Sequence, residues 1–225
     1  MGHRKLKKFA EVAGFSNVIQ THLFPEDGIT FPLKGKWKTD YFKNDNPITL
    51  ELGCGRGEYT VGLARRFPSQ NFIGMDIKGA RIWKGAKAAI TENLANVAFV
   101  RNRIDFIETY FASGEASEIW IPFPDPYPGK EQKRLVAPPF IKRYRNLAPS
   151  GSIIHLKTDN HDLYEYALEQ VNEHHYPLLC HSANVYSDFE TLGPERFALL
   201  TEIQTYYEKM FLEAGSKIHY VEFRI

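Results

Sequence analysis

The stretch "ITLELGCGRGEYT", residues 48–60, reads as a short apolar strand, Ile48–Leu52, that runs straight into a glycine-rich turn and then a helical segment. A turn in that place brings backbone close to a ligand at the mouth of a helix. Downstream, "NFIGMD", "VAFVR", "EIWIPF" and "SIIHLKT" repeat the short apolar run at helix-sized spacing. Such alternation predicts an α/β fold, a parallel sheet built from strand–helix–strand units. Two of the spacers show helical periodicity, through Ile82, Ala86 and Ala89 and through Tyr164, Ala167, Leu168 and Val171, and each marks one apolar helix face. At the C-terminus, Val221, Phe223 and Ile225 alternate with Glu222 and Arg224, the pattern of a half-exposed strand, expected antiparallel at a sheet edge. Residues 1–46 start basic, continue rich in Pro and Gly, and have no clear period, so they read as an arm wrapping a main domain of residues 47–225.

Composition narrows the class. The 225 residues suit one large domain, and 43% hydrophobic with 24% charged residues excludes disordered and fibrous chains. No apolar run approaches the roughly 18–20 residues that span a bilayer, and the N-terminus lacks a signal-peptide core, so a cytoplasmic protein away from membranes is expected. Cys54 and Cys180 are too few for a disulfide framework. With 28 basic and 27 acidic residues, bulk charge does not decide for or against a nucleic-acid partner. The pairs His174-His175 and Cys180-His181 lack metal-ligand spacing, and no metal is expected.

A dinucleotide turn requires G-x-G-x-x-G. Here the glycines are Gly53, Gly55 and Gly57, and Glu58 stands where the third glycine belongs. The pattern, with Glu51 ending the strand, is E-x-G-x-G-x-G and resembles the first motif of S-adenosylmethionine-dependent methyltransferases. That cofactor carries a cationic sulfonium and an α-amino group but no pyrophosphate, so an acid beside the turn suits it. Asp76 ends the second strand about twenty residues after the glycines, where an acid accepts hydrogen bonds from ribose hydroxyls, a requirement shared with NAD. Asn102 follows the third strand, placed to reach an adenine edge. A plain turn and a helix-capping acid are the structural alternatives.

The fourth strand leads into "EIWIPFPDPYPGK", residues 118–130. Proline fixes its own φ and restrains the residue before it, so this corner holds Asp125 and Tyr127 in place at the carboxyl edge where doubly wound sheets bind ligands. An incidental Asp capping the next helix is the competing reading.

From residue 47 onward the chain resembles the tRNA (guanine-N7)-methyltransferase family, which has a D-P-W-P-K-K-R-H type segment after its fourth strand and later "FKTDN" and T-x-Y-E motifs. The matching residues are "PDPYPGKEQKRL", "HLKTDN" with Lys157, Thr158, Asp159 and Asn160, and "TYYE" at 205–208. The resemblance implies a Rossmann-like class I methyltransferase fold, a mostly parallel seven-stranded sheet with an antiparallel C-terminal strand. It further implies methyl transfer from S-adenosylmethionine to N7 of a guanine in the tRNA variable loop, by a monomer or homodimer. Tyr127 stands where the family has Trp, and the basic segment is about two residues shorter, leaving Lys130, Lys133 and Arg134; Lys130 is favoured as the substrate contact.

Guanine N7 has no proton to lose, so the burden falls on alignment rather than on a strong base. Carboxylates suit the N1–H and N2–H2 donors of the base. The expected set is Glu51, the three glycines, Asp76 and Asn102 for the cofactor, Asp125 bordering both ligands as the catalytic candidate, and Asp159, Thr205 and Glu208 holding or framing the guanine. On a helix, Thr205 and Glu208 share a face at i, i+3; helix caps remain open for Asp159 and Thr205. Arg4, Lys5, Lys7, Lys8, Lys130, Lys133, Arg134, Lys142, Arg143 and Arg145 form a candidate phosphate track, and Tyr127 a candidate stacking ring. Two rivals stand beside this reading. One is an amino-group (adenine N6 type) methyltransferase, whose D-P-P-Y segment "DPY" approaches; the other is a non-catalytic binding module of an RNA-modifying complex. A nicotinamide dehydrogenase is disfavoured by the glycine spacing.

Overall fold

The computed structural model describes residues 2–21 and 31–225, with side chains from residue 7 onward. Its strands are β1 (Val18–Gln20), β2 (Ile48–Leu52), β3 (Asn71–Asp76), β4 (Val97–Arg101), β5 (Glu118–Pro122), β6 (Ile153–Thr158), β7 (Leu178–Ser182) and β8 (His219–Arg224). They form one sheet in the order β1-β4-β3-β2-β5-β6-β8-β7. The α-helices are α1 (Gly2–Ala13), α2 (Glu58–Arg66), α3 (Gly79–Thr91), α4 (Ile107–Tyr110), α5 (Pro138–Leu147), α6 (His161–Glu173), α7 (Phe189–Glu202) and α8 (Tyr206–Glu213). All pairings from β1 to β6 are parallel. The chain runs outward from β2 through β3 to β4 and returns to β5 on the other side of β2, so a crevice opens at the carboxyl ends of β2 and β5.

Every residue of β2 and β3 is buried, as expected for parallel strands covered on both faces. The period of two divides the interior. Ile48, Leu50, Ile73, Ala98, Val100, Ile154 and Leu156 point to one layer, while Phe72, Val97, Phe99 and Trp120 point to the other. Helix starts follow local chemistry. Asn160 caps α6 by accepting from Leu163 N at 2.8 Å, and α5 opens on Pro138. α2 carries Glu58 in its first turn and Arg65 and Arg66 in its last, matching the helix dipole.

Two expectations change. The C-terminal strand is antiparallel but lies inside the sheet, between β6 and β7, and β7 forms that edge. β7 escapes detection because "LLCHS" has no apolar alternation and only Cys180 and Ser182 turn inward. The sheet also holds eight strands rather than seven, since β1, only three residues long, adds beside β4. The segment before β2 is tied to the same interior. Trp37 is fully buried, donates its indole N–H to Tyr110 O at 2.9 Å and stacks on Phe111, while Glu115 accepts from the backbone of Gly35, Trp37 and Ala112. α1 packs on α3, where Glu11 accepts from the Trp83 indole at 2.7 Å.

Candidate active site

A cleft of about 660 Å³ opens at the switch point, with Gly53, Asp76, Asn102 and Arg81 on one side and Phe123, Asp125, Tyr127 and Lys133 on the other. Of the glycine turn, Gly53 reaches its lining. Gly53 N and Cys54 N both donate to Met75 O, at 2.9 and 3.1 Å, which binds the end of β2 to the end of β3. Gly53, Gly55 and Gly57 have φ of +73°, +54° and +70°, the left-handed region that glycine enters freely. Their tasks differ. A Cβ on Gly53 would meet nothing within 4 Å, and one on Gly55 only Gly53 O at 3.9 Å, so both leave room for a ligand. On Gly57 it would strike the Phe99 ring at 2.7 Å, so the third glycine lets α2 approach β4 and Gly85 of α3.

Two acids flank this turn. Asp76 accepts from Gly55 N at 2.8 Å and from Lys78 N at 2.7 Å through different oxygens, and each oxygen keeps further acceptor capacity. Glu51 is only 2% exposed; its Oε2 accepts from Thr60 N at 2.6 Å and from the Thr60 hydroxyl, while its Oε1 is buried without a partner. Burial pushes the Glu51 carboxyl up to about 8, against the lowering effect of the Thr60 hydrogen bonds. A buried acceptor left empty is costly. The open glycines, the orphaned Glu51 oxygen and Asp76 together fit S-adenosylmethionine. Asn102 is fully buried: its Oδ1 accepts from Arg103 N at 2.6 Å, and its amide nitrogen donates to Thr21 at 3.1 Å and to the Tyr110 hydroxyl. Its side chain pins the β4 turn to the segment after β1.

Across the cleft, the Pro-rich corner is held in a strained form. Phe123 and Tyr127 have φ of +53° and +44°, costly for residues with side chains. The strain is contained by hydrogen bonds: Phe123 N donates to Lys157 O at 2.7 Å, and Arg134 donates Nε to Pro126 O at 2.9 Å while lying over the Tyr166 ring. Arg134 is thereby a buried brace. Asp125 stands exposed on the cleft wall with Tyr127 beside it. Of the short basic segment, Lys133 and Gln132 line the cleft, whereas Lys130 is exposed outside the lining. Arg143 lines it too, while the side chains of Arg4 and Lys5 lie outside the described residues.

The two later motifs meet in the interior. Lys157 and Glu208, both fully buried, form an ion pair, and Lys157 also donates to the Tyr59 hydroxyl at 2.9 Å and to Leu200 O. Burial draws the Lys157 ammonium down to about 8, opposed by the Glu208 charge. Glu208 further accepts from the Tyr186 hydroxyl at 2.8 Å, and with Thr205 it makes a reciprocal capping box that starts α8. Thr205 is thus a helix cap, and Glu208 faces the interior rather than the cleft. Asp159 is half-buried, its carboxyl raised by burial, and outside the cleft lining; the cap of α6 is its neighbour Asn160. Arg81, Arg103, Asp105 and Phe123 line the cleft without having been singled out by the sequence. Among the described residues no group of three or more His, Cys, Asp or Glu is arranged to hold a metal, and no helix is long and apolar enough to cross a membrane.

Comparison with known proteins agrees with this architecture. Residues 45–221 match the family described as "Putative methyltransferase". A tRNA (guanine-N(7)-)-methyltransferase of Bacteroides fragilis is 46% identical over 226 residues, spanning 99% of this chain and 86% of the relative. One from Christiangramia forsetii is 46% identical over 98% of this chain and 97% of its own length. In fold, the crystal structure of the 16S rRNA methyltransferase KamB superposes with a TM-score of 0.64 at 13% identity, covering 88% of this chain and 94% of that one. With its glycine turn, its paired acids and all three later motifs in order, this chain belongs to the tRNA (guanine-N7)-methyltransferase family.

Proposed function

We propose that this protein transfers a methyl group from S-adenosylmethionine to N7 of a guanine in the tRNA variable loop, acting in the cytoplasm as a monomer or homodimer. The observation that carries the reading is that Gly53 of the glycine turn, Asp76 and the proline-held Asp125 line one cleft. S-adenosylmethionine, when bound, supplies an electrophilic methyl group on a sulfonium. Glu51 offers its orphaned Oε1 to a cationic part of the cofactor, Asp76 offers its remaining lone pairs to ribose hydroxyls, and Gly53 and Gly55 leave the space. The N7 lone pair is free at neutral pH, so no residue has to take a proton from it. Asp125 serves by position: its carboxylate accepts from the N–H donors of the base and sets the angle at which N7 meets the methyl carbon. The strained corner holds that carboxylate in advance, as alignment demands. Thr205 and Glu208 frame the site from behind by anchoring α8, and Lys130 and Asp159 lie outside the cleft lining.

The test is transfer from labelled S-adenosylmethionine to unmodified tRNA, followed by nucleoside analysis and mapping of the product. The expected product is 7-methylguanosine in the variable loop. A methylated adenine overturns the choice of base, and cofactor binding without transfer points to the non-catalytic module.

A further inference from the structure

Two arginines, Arg81 of the cleft lining and Arg56 of the glycine turn, lie against the two tyrosines of the "TYYE" motif. Arg56, inside the glycine turn, places its guanidinium carbon 3.7 Å from the centre of the Tyr206 ring. Arg81, on the first turn of α3 and lining the cleft, lies 5.3 Å from the Tyr207 ring. The two rings meet edge to face at 5.6 Å and 74°. Among the described residues neither arginine pairs with a carboxylate. Tyr206 nevertheless stays 42% exposed, and Met210, one turn further along α8, 46% exposed. An aromatic ring is thus held firmly from behind, with part of its surface in water and two uncompensated cations beside it.

From this we infer that Tyr206 is a stacking platform for an unpaired nucleobase next to the target guanine, with Arg56 and Arg81 drawing the adjoining phosphates. The inference rests on the reading of tRNA as substrate. Bringing N7 in line with a methyl group deep in the cleft requires the guanine to leave its stack, and its neighbour loses a partner. RNA-binding proteins replace such contacts by stacking loop bases on aromatic rings and guanidinium planes. A ring already restrained by Arg56 loses little freedom when a base arrives. Unpaired guanidinium groups supply the salt-dependent attraction to phosphate that the near-zero net charge of the whole chain does not.

The experiment compares wild type with Tyr206→Ala, Tyr206→Leu and Tyr206→Phe, none of which touches the capping box or Glu208. Affinity for unmodified tRNA is read by fluorescence anisotropy, affinity for S-adenosylmethionine by calorimetry, and turnover at saturating tRNA by labelled transfer. The expected result is that Ala and Leu weaken tRNA binding about tenfold or more and raise KM for tRNA in step. Phe binds as wild type, and cofactor affinity and kcat hold in all three. Unchanged tRNA affinity in both Ala and Leu overturns the platform. Weakened cofactor affinity at unchanged tRNA affinity overturns it too, and makes the Arg56 stack a latch on the cofactor turn. Equal loss in Phe and Ala overturns it in favour of the hydroxyl. Because tRNA binding is measured without product, a wild-type chain that forms no 7-methylguanosine refutes the reaction and not the platform.

Discussion

Glu51 makes the free protein less stable at neutral pH than it would be with a neutral side chain, and the effect has a definite pH signature. Its carboxyl titrates near 4.5 when exposed and near 8 in the fold, because burial penalises the charge and one oxygen has no donor. A folded pKa raised above the unfolded one means that stability is fully present below the lower value and is lost as pH rises toward the upper one. Replacing Glu51 by Gln keeps an acceptor for Thr60 and removes the titration. At about 1.36 kcal/mol per pKa unit, the stability of Glu51→Gln relative to wild type should rise by about 2.5 kcal/mol between about pH 5.5 and about pH 7.5. Urea unfolding of both proteins at the two pH values measures this difference directly. Parallel pH dependence in the two proteins would refute the argument, since it would show that Glu51 has an ordinary pKa. The same reasoning governs the cofactor. A cation placed against Oε1 favours the carboxylate, so binding should release about three quarters of a proton at about pH 7.5. Calorimetry in buffers of different ionisation enthalpy reads that number, and Glu51→Gln should abolish it along with much of the affinity.

The remaining predictions concern separate parts of the site. Asp125→Ala should cut turnover by about tenfold or more without moving the unfolding midpoint, because the side chain is exposed and its corner is braced by other residues; a near-normal rate removes Asp125 from the reaction. Lys157→Met should cost about 3–5 kcal/mol, since it leaves the Glu208 carboxylate buried without its cation, and adding Glu208→Gln should restore part of the loss. Additive losses in that double-mutant cycle would show that the pair is not coupled. Gly57→Ala should destabilise the fold strongly through its clash with Phe99, whereas Gly53→Ala should cost about 1–2 kcal/mol for its backbone conformation and mainly weaken cofactor binding. Thermal unfolding and cofactor titration of the two variants separate these outcomes.

Strand and helix patterns, the glycine turn and the proline corner were legible along the chain because their signals are local. Apolar residues at period two or 3.6, a left-handed turn that calls for glycine and a fixed φ at proline act within a few residues. The same locality explains what was hidden. β1, at three residues, is too short to show a period, β7 lacks apolar alternation, and β8 takes its interior place in the sheet only because β7 exists. The "KTDN" and "TYYE" motifs were visible as motifs, but nothing in them indicates that Lys157 and Glu208 meet in the dry interior. An acid at a motif position looks the same whether it faces a substrate or a buried lysine.

By itself, then, the sequence determined the α/β class, the methyl-donor turn and the family, since each depends on residue type at fixed short spacing. Only the tertiary structure decided that Gly57 serves packing while Gly53 and Gly55 leave room for a ligand, that Glu51 is orphaned and Glu208 paired, and that Lys133 rather than Lys130 lines the cleft. The physical reason is that a side chain's role depends on which donors and acceptors lie within about 3 Å and how much water remains around it. Both are set by contacts such as Lys157 to Glu208, which join segments far apart along the chain.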